Sequence, residues 1–308
     1  MKQYDKPRKT FPEQVELLSS RGLLIKDPAQ AELLLRRVNY YRLRAYTLPF
    51  ENPPHTFLPG TTLEDIIRLY EFDAKLRNIV FSAIGNIEIS LRTGVAYSLA
   101  HKYGTFAHED PNNFKRQFYG RVQGQSKWPE WRDKVYRQAR EKEKSEVFIG
   151  HFKRHYQEYP ALPVWVMVET ISMALLSQLY SGMLRADQIP VAREYGIHSE
   201  VFSRWLHNFT YIRNICAHHS SLWNRTLSVE LVLPANNPAW RGLSGLKFGS
   251  VMYAICAVLE SKVFTDEKRA EWRTAIEALF LDLPPVPRFW ERIGLPENWK
   301  EHPLWKKF

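Results

Sequence analysis

Arg213, Asn214, His218 and His219 crowd together in YIRNICAHHSSLWNR, residues 211–225. Arginine presents a planar fork of donors that fits phosphate oxygens. Imidazole exchanges protons near neutral pH. Together they could hold a phosphodiester and carry out general acid–base chemistry on it. On a regular helix, however, Arg213 and His218 lie about 140° apart. They can serve one site only if the helix ends near them, if the long arginine curls, or if a second subunit supplies the partner.

The segment from Phe202 to His218 reads as the helix that positions them. At helical spacing, Phe202, Trp205, Leu206, Phe209, Ile212 and Cys216 share one face. His207, Tyr211, Asn214 and His218 share the other, either as a binding stripe or as an ordinary solvated face. Arg213 falls on the apolar side, where an unpaired guanidinium is very costly. The helix bends there, the face lines a groove, or a carboxylate pairs with Arg213. Glu169 stands alone in an apolar run, and Glu88 stands four residues before Arg92, at ion-pair spacing. Either carboxylate could orient Arg213.

Other chemistries find less support. Cys216, His218 and His219 are cramped as metal ligands, and no second cluster completes a tetrahedral site. There is no GxxxxGK[ST], GxGxxG or GxSxG pattern. A second arginine–histidine pair, Arg193 and His198, encloses Gly196 and lies ahead of the helix. No metal and no cofactor are expected.

The chain of 308 residues carries a net charge of +10, with 14% aromatic residues. A basic balance favours phosphate-bearing partners, above all nucleic acid. Basic and aromatic residues interleave most densely at about residues 104–158, where Lys115, Arg116, Arg121 and Lys127 stand among Phe114, Phe118, Trp128 and Trp131. This segment is either an RNA surface with stacking rings or an amphipathic stretch with its rings in the core. Tyr41 and Arg42, in NYYRLRAY, pose the same choice. Two cysteines without a CxxC pair, and an N-terminus without an apolar run, point to a cytoplasmic protein. The apolar run 162–184 is broken by Glu169 and Gln178 and reads as a buried core helix, not a membrane span.

The periodicity is helical almost throughout. Helices are expected at 12–20, from the Asp27-Pro28 start to Pro49, and from the Thr62 capping box to about 102. Further helices are expected over 128–158, 163–184 and 199–218, and in the two segments LKFGSVMYAICAVLESKV and TDEKRAEWRTAIEALFLDL. Residues 104–124 and 220–245 read as irregular, and the proline-rich tail from Pro284 as an extended strap.

Four blocks, NYYRLRAYTLPF, IEISLR, PVWVMVETISMALLSQLY and RNICAHHSSLWNR, occur in that order. They resemble the Abi-like abortive-infection family of phage-resistance proteins (the AbiD/AbiF type), over roughly residues 10–262. RNICAH also resembles the signature of the HEPN ribonuclease superfamily, an arginine and a histidine separated by four to six residues. The resemblance implies one all-α chain over 1–308: a HEPN-like helical bundle at about 62–262, with N-terminal helices and a basic helical insertion. It implies metal-independent RNA cleavage by 2′-OH attack. Arg213 would clamp the phosphate, His218 would act as general base or acid, and Asn214 would orient it from one turn away. Glu88, Glu169, Arg92, Tyr211 and His219 would support them. A single motif copy implies a homodimer sharing its site, and a harmful activity implies control by a regulatory RNA, an antitoxin or a phage trigger. The rival reading is a non-catalytic RNA-binding scaffold.

Overall fold

Thr62 and Asp65 cap one another reciprocally and start a helix of 41 residues, α4 in chain order, that runs from Leu63 to Tyr103. It ends at Gly104, whose φ of 88° is open only to glycine-like backbones. Ile66, Leu69, Leu76, Val80, Ile84, Ile87, Leu91, Val95 and Leu99 recur along it at spacings of three, four and seven, and all are fully buried. The computed structural model describes residues 7–119, 121–122 and 125–307, without the side chains of 119, 121, 122, 125 and 126.

Before α4 come α1 (Phe11–Ser20), α2 (Pro28–Arg37) and α3 (Tyr40–Thr47). The single helix expected up to Pro49 is two. The Asn39 side chain accepts from Tyr41 N at 2.9 Å and starts a new helix in place of continuing the old one. Two-residue strands β1 (Glu51–Asn52) and β2 (Thr56–Phe57) pair antiparallel in the proline-rich turn. After α4 come α5 (Arg116–Tyr119), the ladder of β3 (Arg121–Val122) with β4 (Gln125–Ser126), α6 (Lys127–Glu141) and α7 (Val147–His155).

The helix expected over 163–184 is also two, α8 (Val164–Thr170) and α9 (Met173–Gly182). Ser172 caps α9 through its bond to Leu175 N at 3.4 Å. Neither piece is long enough to span a bilayer. Among the described residues, α4 is the one helix long and apolar enough for that, and it lies against α3, α8, α10, α11 and α13. Helix α10 (Arg185–Glu194) carries Pro190 inside it, a residue that argues against a helix in the sequence. Then follow α11 (Ser199–Ala217), α12 (Phe248–Leu259) and α13 (Asp266–Leu279). The tail is no extended strap. It forms α14 (Phe289–Ile293) and α15 (Pro303–Lys306), with Trp299 and Trp305 buried. The fold is all-α.

Candidate functional site

Helix α11 buries Phe202, Trp205, Leu206, Phe209, Ile212 and Cys216, and leaves His207, Asn214 and His218 exposed. The helix ends at the histidines. His218 is the C-cap residue, its backbone N–H reaching Asn214 O at 3.0 Å. His219 then turns left-handed at φ 54°. His219 N donates to Cys216 O at 3.1 Å and Ser220 N to Ile215 O at 3.0 Å, which is the Schellman pattern. Glycine usually takes the left-handed position, and histidine there carries a steric cost. His219→Gly is therefore expected to stabilise the protein by about 0.5–1 kcal/mol, read as a higher urea midpoint. An unchanged or lower midpoint would show that the His219 side chain contributes more than the strain costs.

This ending is the first of the three routes that could bring Arg213 and His218 to one site. Among the described residues no hydrogen bond joins the two side chains, nor the side chain of Asn214 to that of His218. Arg213 is not sealed in the core: its side chain is 37% exposed. Its Nε lies 4.0 Å from Glu88 Oε2, and its guanidinium sits 5.4 Å over the Phe81 ring. Glu88 also pairs with Arg92, which donates to the Val168 carbonyl. Of the two candidate carboxylates, Glu88 is thus the one that orients Arg213. Glu169 is exposed on α8, on the same face as the exposed Trp165 one turn earlier. At 4.0 Å the Glu88 contact steers the arginine without engaging it as a bidentate pair would.

Beneath the histidines lies a second acid–arginine pair, one not foreseen from the sequence. Asp73 is fully buried and pairs with Arg77. It accepts from Tyr46 Oη at 2.7 Å, from Leu222 N at 3.1 Å and from Trp223 N at 2.8 Å. Trp223 stacks on Phe289 at 5.6 Å. From α3, Arg42 Nη1 donates to the His219 carbonyl. The turn at 218–223 is therefore pinned to α4, α3 and α14 together. Asp73 and Arg77 carry the same signal as Glu88 and Arg92, opposite charges four apart inside an apolar helix.

Tyr211 is half-buried, and its hydroxyl accepts from Ser228 N at 3.3 Å. Burial raises its pKa, but the Ser228 hydrogen bonds and the nearby Arg225 charge outweigh that and lower it. Cys216 faces the core, and burial pushes its thiol up to about 12. Among the described residues, no group of three His, Cys, Asp or Glu side chains could hold a metal.

The basic segment is less exposed than an RNA platform requires. Phe114, Phe118, Trp128 and Trp131 are buried, so the rings that interleave the cations serve the core. Lys115 is half-buried and donates to Ser181 O at 3.1 Å and Gln188 Oε1 at 2.9 Å, and burial lowers its pKa. Lys115 and Lys127 line one cavity of about 420 Å³. Arg116 is exposed, and the side chain of Arg121 lies outside the described residues. Tyr41 and Arg42 belong to a different surface, on α3.

No curated protein and no solved structure matches the chain. The model of the Abi-like protein family matches residues 33–224, a stretch that contains Arg42, Asp73, Glu88, Arg213, His218 and Trp223. This match spans well over half of the sequence, and the chain belongs to the Abi-like protein family.

Proposed function

We propose that this protein is a metal-independent HEPN-type endoribonuclease that acts in bacterial abortive infection, the phage defence that the family's description suggests. One observation carries the reading. An exposed His218 caps a helix end braced from below by Asp73, and a half-exposed Arg213 on the same helix is steered by Glu88. RNA brings its own nucleophile, the 2′-OH. His218 takes that proton, or gives one to the departing 5′-oxygen. Arg213 faces the charge that builds on the phosphate oxygens as the new bond forms. Asn214, exposed one turn before His218, hydrogen-bonds the substrate or the imidazole. The products are a 2′,3′-cyclic phosphate and a 5′-OH, and no cofactor takes part.

One histidine cannot supply both base and acid at one moment. A homodimer brings a second His218 and is part of the proposal. Phe81, over which the Arg213 guanidinium sits, and Ile89, one residue past Glu88, stand exposed on α4 and would be the face covered. The rival, an RNA-binding scaffold without cleavage, draws on the lack, among the described residues, of a hydrogen bond between the Arg213 and His218 side chains.

The test is incubation of purified protein with total bacterial RNA in EDTA, with mapping of the product ends. Cyclic-phosphate ends are expected, from a species running at twice the chain mass. Intact RNA, both alone and in phage-infected extract, would sink the enzyme and leave the scaffold.

A further inference from the structure

We propose that the cleft between α1 and α3 is a subsite for an unpaired nucleotide of the RNA strand, one that feeds the strand toward the turn at His219. The proposal takes its ligand from the ribonuclease reading but rests on a separate part of the molecule. The cleft encloses about 660 Å³. Arg8, Lys9, Arg21 and Arg44 line it, and among the described residues no carboxylate does. Arg44 is already committed to Glu51, which leaves three cations to set the field. Arg8 and Lys9 are exposed, while Arg21 Nη1 donates to Tyr40 Oη at 3.0 Å and so holds that ring at the cleft wall. Tyr41 stands edge-on to Tyr40, ring centroids 5.8 Å apart, and is 70% exposed.

This is the chemistry of single-strand binding. Cations track phosphates, and an exposed ring on a fixed helix takes the face of a base. Inside a duplex both faces of a base are covered by its stacked neighbours, so duplex RNA does not fit the same site. The direction of the strand follows from the next residue. Arg42 is bonded to the His219 carbonyl, so α3 presents the stacking ring and a brace of the catalytic turn at adjacent positions. Arg8, Lys9 and Arg21 precede residues 33–224, so the family match does not include them.

The test uses the full chain carrying His218→Ala, so that RNA stays intact, and a short fluorescein-labelled unstructured RNA read by anisotropy over a salt series. Tyr41→Ala is expected to weaken binding about 5- to 100-fold, and Tyr41→Phe to preserve it. The double change Arg8→Gln/Lys9→Gln, on exposed side chains that the fold does not need, is expected to flatten the salt dependence by about one to one and a half in log–log slope. A duplex of the same sequence is expected to ignore Tyr41→Ala. Binding that is indifferent to all three variants overturns the cleft and leaves the nuclease untouched. An equal loss on duplex overturns the stacking role. If the wild type fails to cleave RNA yet the variants weaken binding as expected, the cleft stands and the nuclease falls.

Discussion

Replacing His218 with alanine is expected to slow RNA cleavage by about 10²- to 10⁴-fold, the usual share of a positioned general acid or base. The fold should hardly notice. His218 is exposed, and its structural contribution is a backbone N–H bonded to Asn214 O at 3.0 Å, which alanine keeps. An exposed substitution of this kind shifts stability by about 0.5 kcal/mol or less. The pairing of a large kinetic loss with a silent unfolding curve is what separates catalysis from support. RNA affinity should survive as well, since Arg213 and the basic surfaces remain. The measurement is initial cleavage rate on one RNA substrate, alongside urea unfolding of the same preparations. Cleavage at the wild-type rate would remove His218 from the chemistry. A lowered midpoint would make it a structural cap instead.

Asp73→Asn is expected to cost about 3–5 kcal/mol of stability, because losing one partner of a buried ion pair strands the other charge. The substituted amide oxygen can still accept from Leu222 N and Trp223 N. Its NH2 group, however, meets Arg77, which is itself buried at 4% exposure. A guanidinium without its carboxylate is then held inside the protein. Because Leu222 and Trp223 anchor the turn that follows His218, cleavage should fall along with the unfolding midpoint. Removing the charge from both partners, Asp73→Asn with Arg77→Gln, should recover part of the loss, since the two changes share one interaction. The check is urea unfolding of wild type, both single variants and the double. A single-variant loss under about 1 kcal/mol, or strict additivity, would show that Asp73 does not work as the ionic anchor described.

Local, periodic signals made much of the fold legible in the sequence. The Thr62 capping box announces α4, and apolar spacing on α11 places its buried face residue by residue. Legibility ended where a side chain competed with the backbone. Asn39 and Ser172 each accept a backbone N–H and restart a helix, which splits two long helices into four. Composition left Phe114, Phe118, Trp128 and Trp131 between an RNA surface and the core, and the structure buries them. Rings beside cations fit either reading in sequence, and the middle segment uses them for its own core. Of the candidate site, the need of Arg213 for a partner pointed to Glu88 or Glu169, and the structure puts Glu88 beside it. Asp73, Tyr46 and the Arg42 bond to the His219 carbonyl were not legible, because they join residues far apart in the chain.

Asp73, Arg77, Phe81, Glu88 and Arg92 all project from α4, and at about 100° per residue they fall within one arc of roughly 100°. From Asp73 to Glu88 the same helix advances about 22 Å. The brace of the histidine turn and the steering of Arg213 are therefore two marks on a single ruler. A change of length in a loop leaves the angle between these two positions on α4 as it is. A change in the span between residues 73 and 88 does not, because one residue more or fewer would swing one mark about 100° away from the other. The gauge of the site is written in the length of a helix that does none of the chemistry.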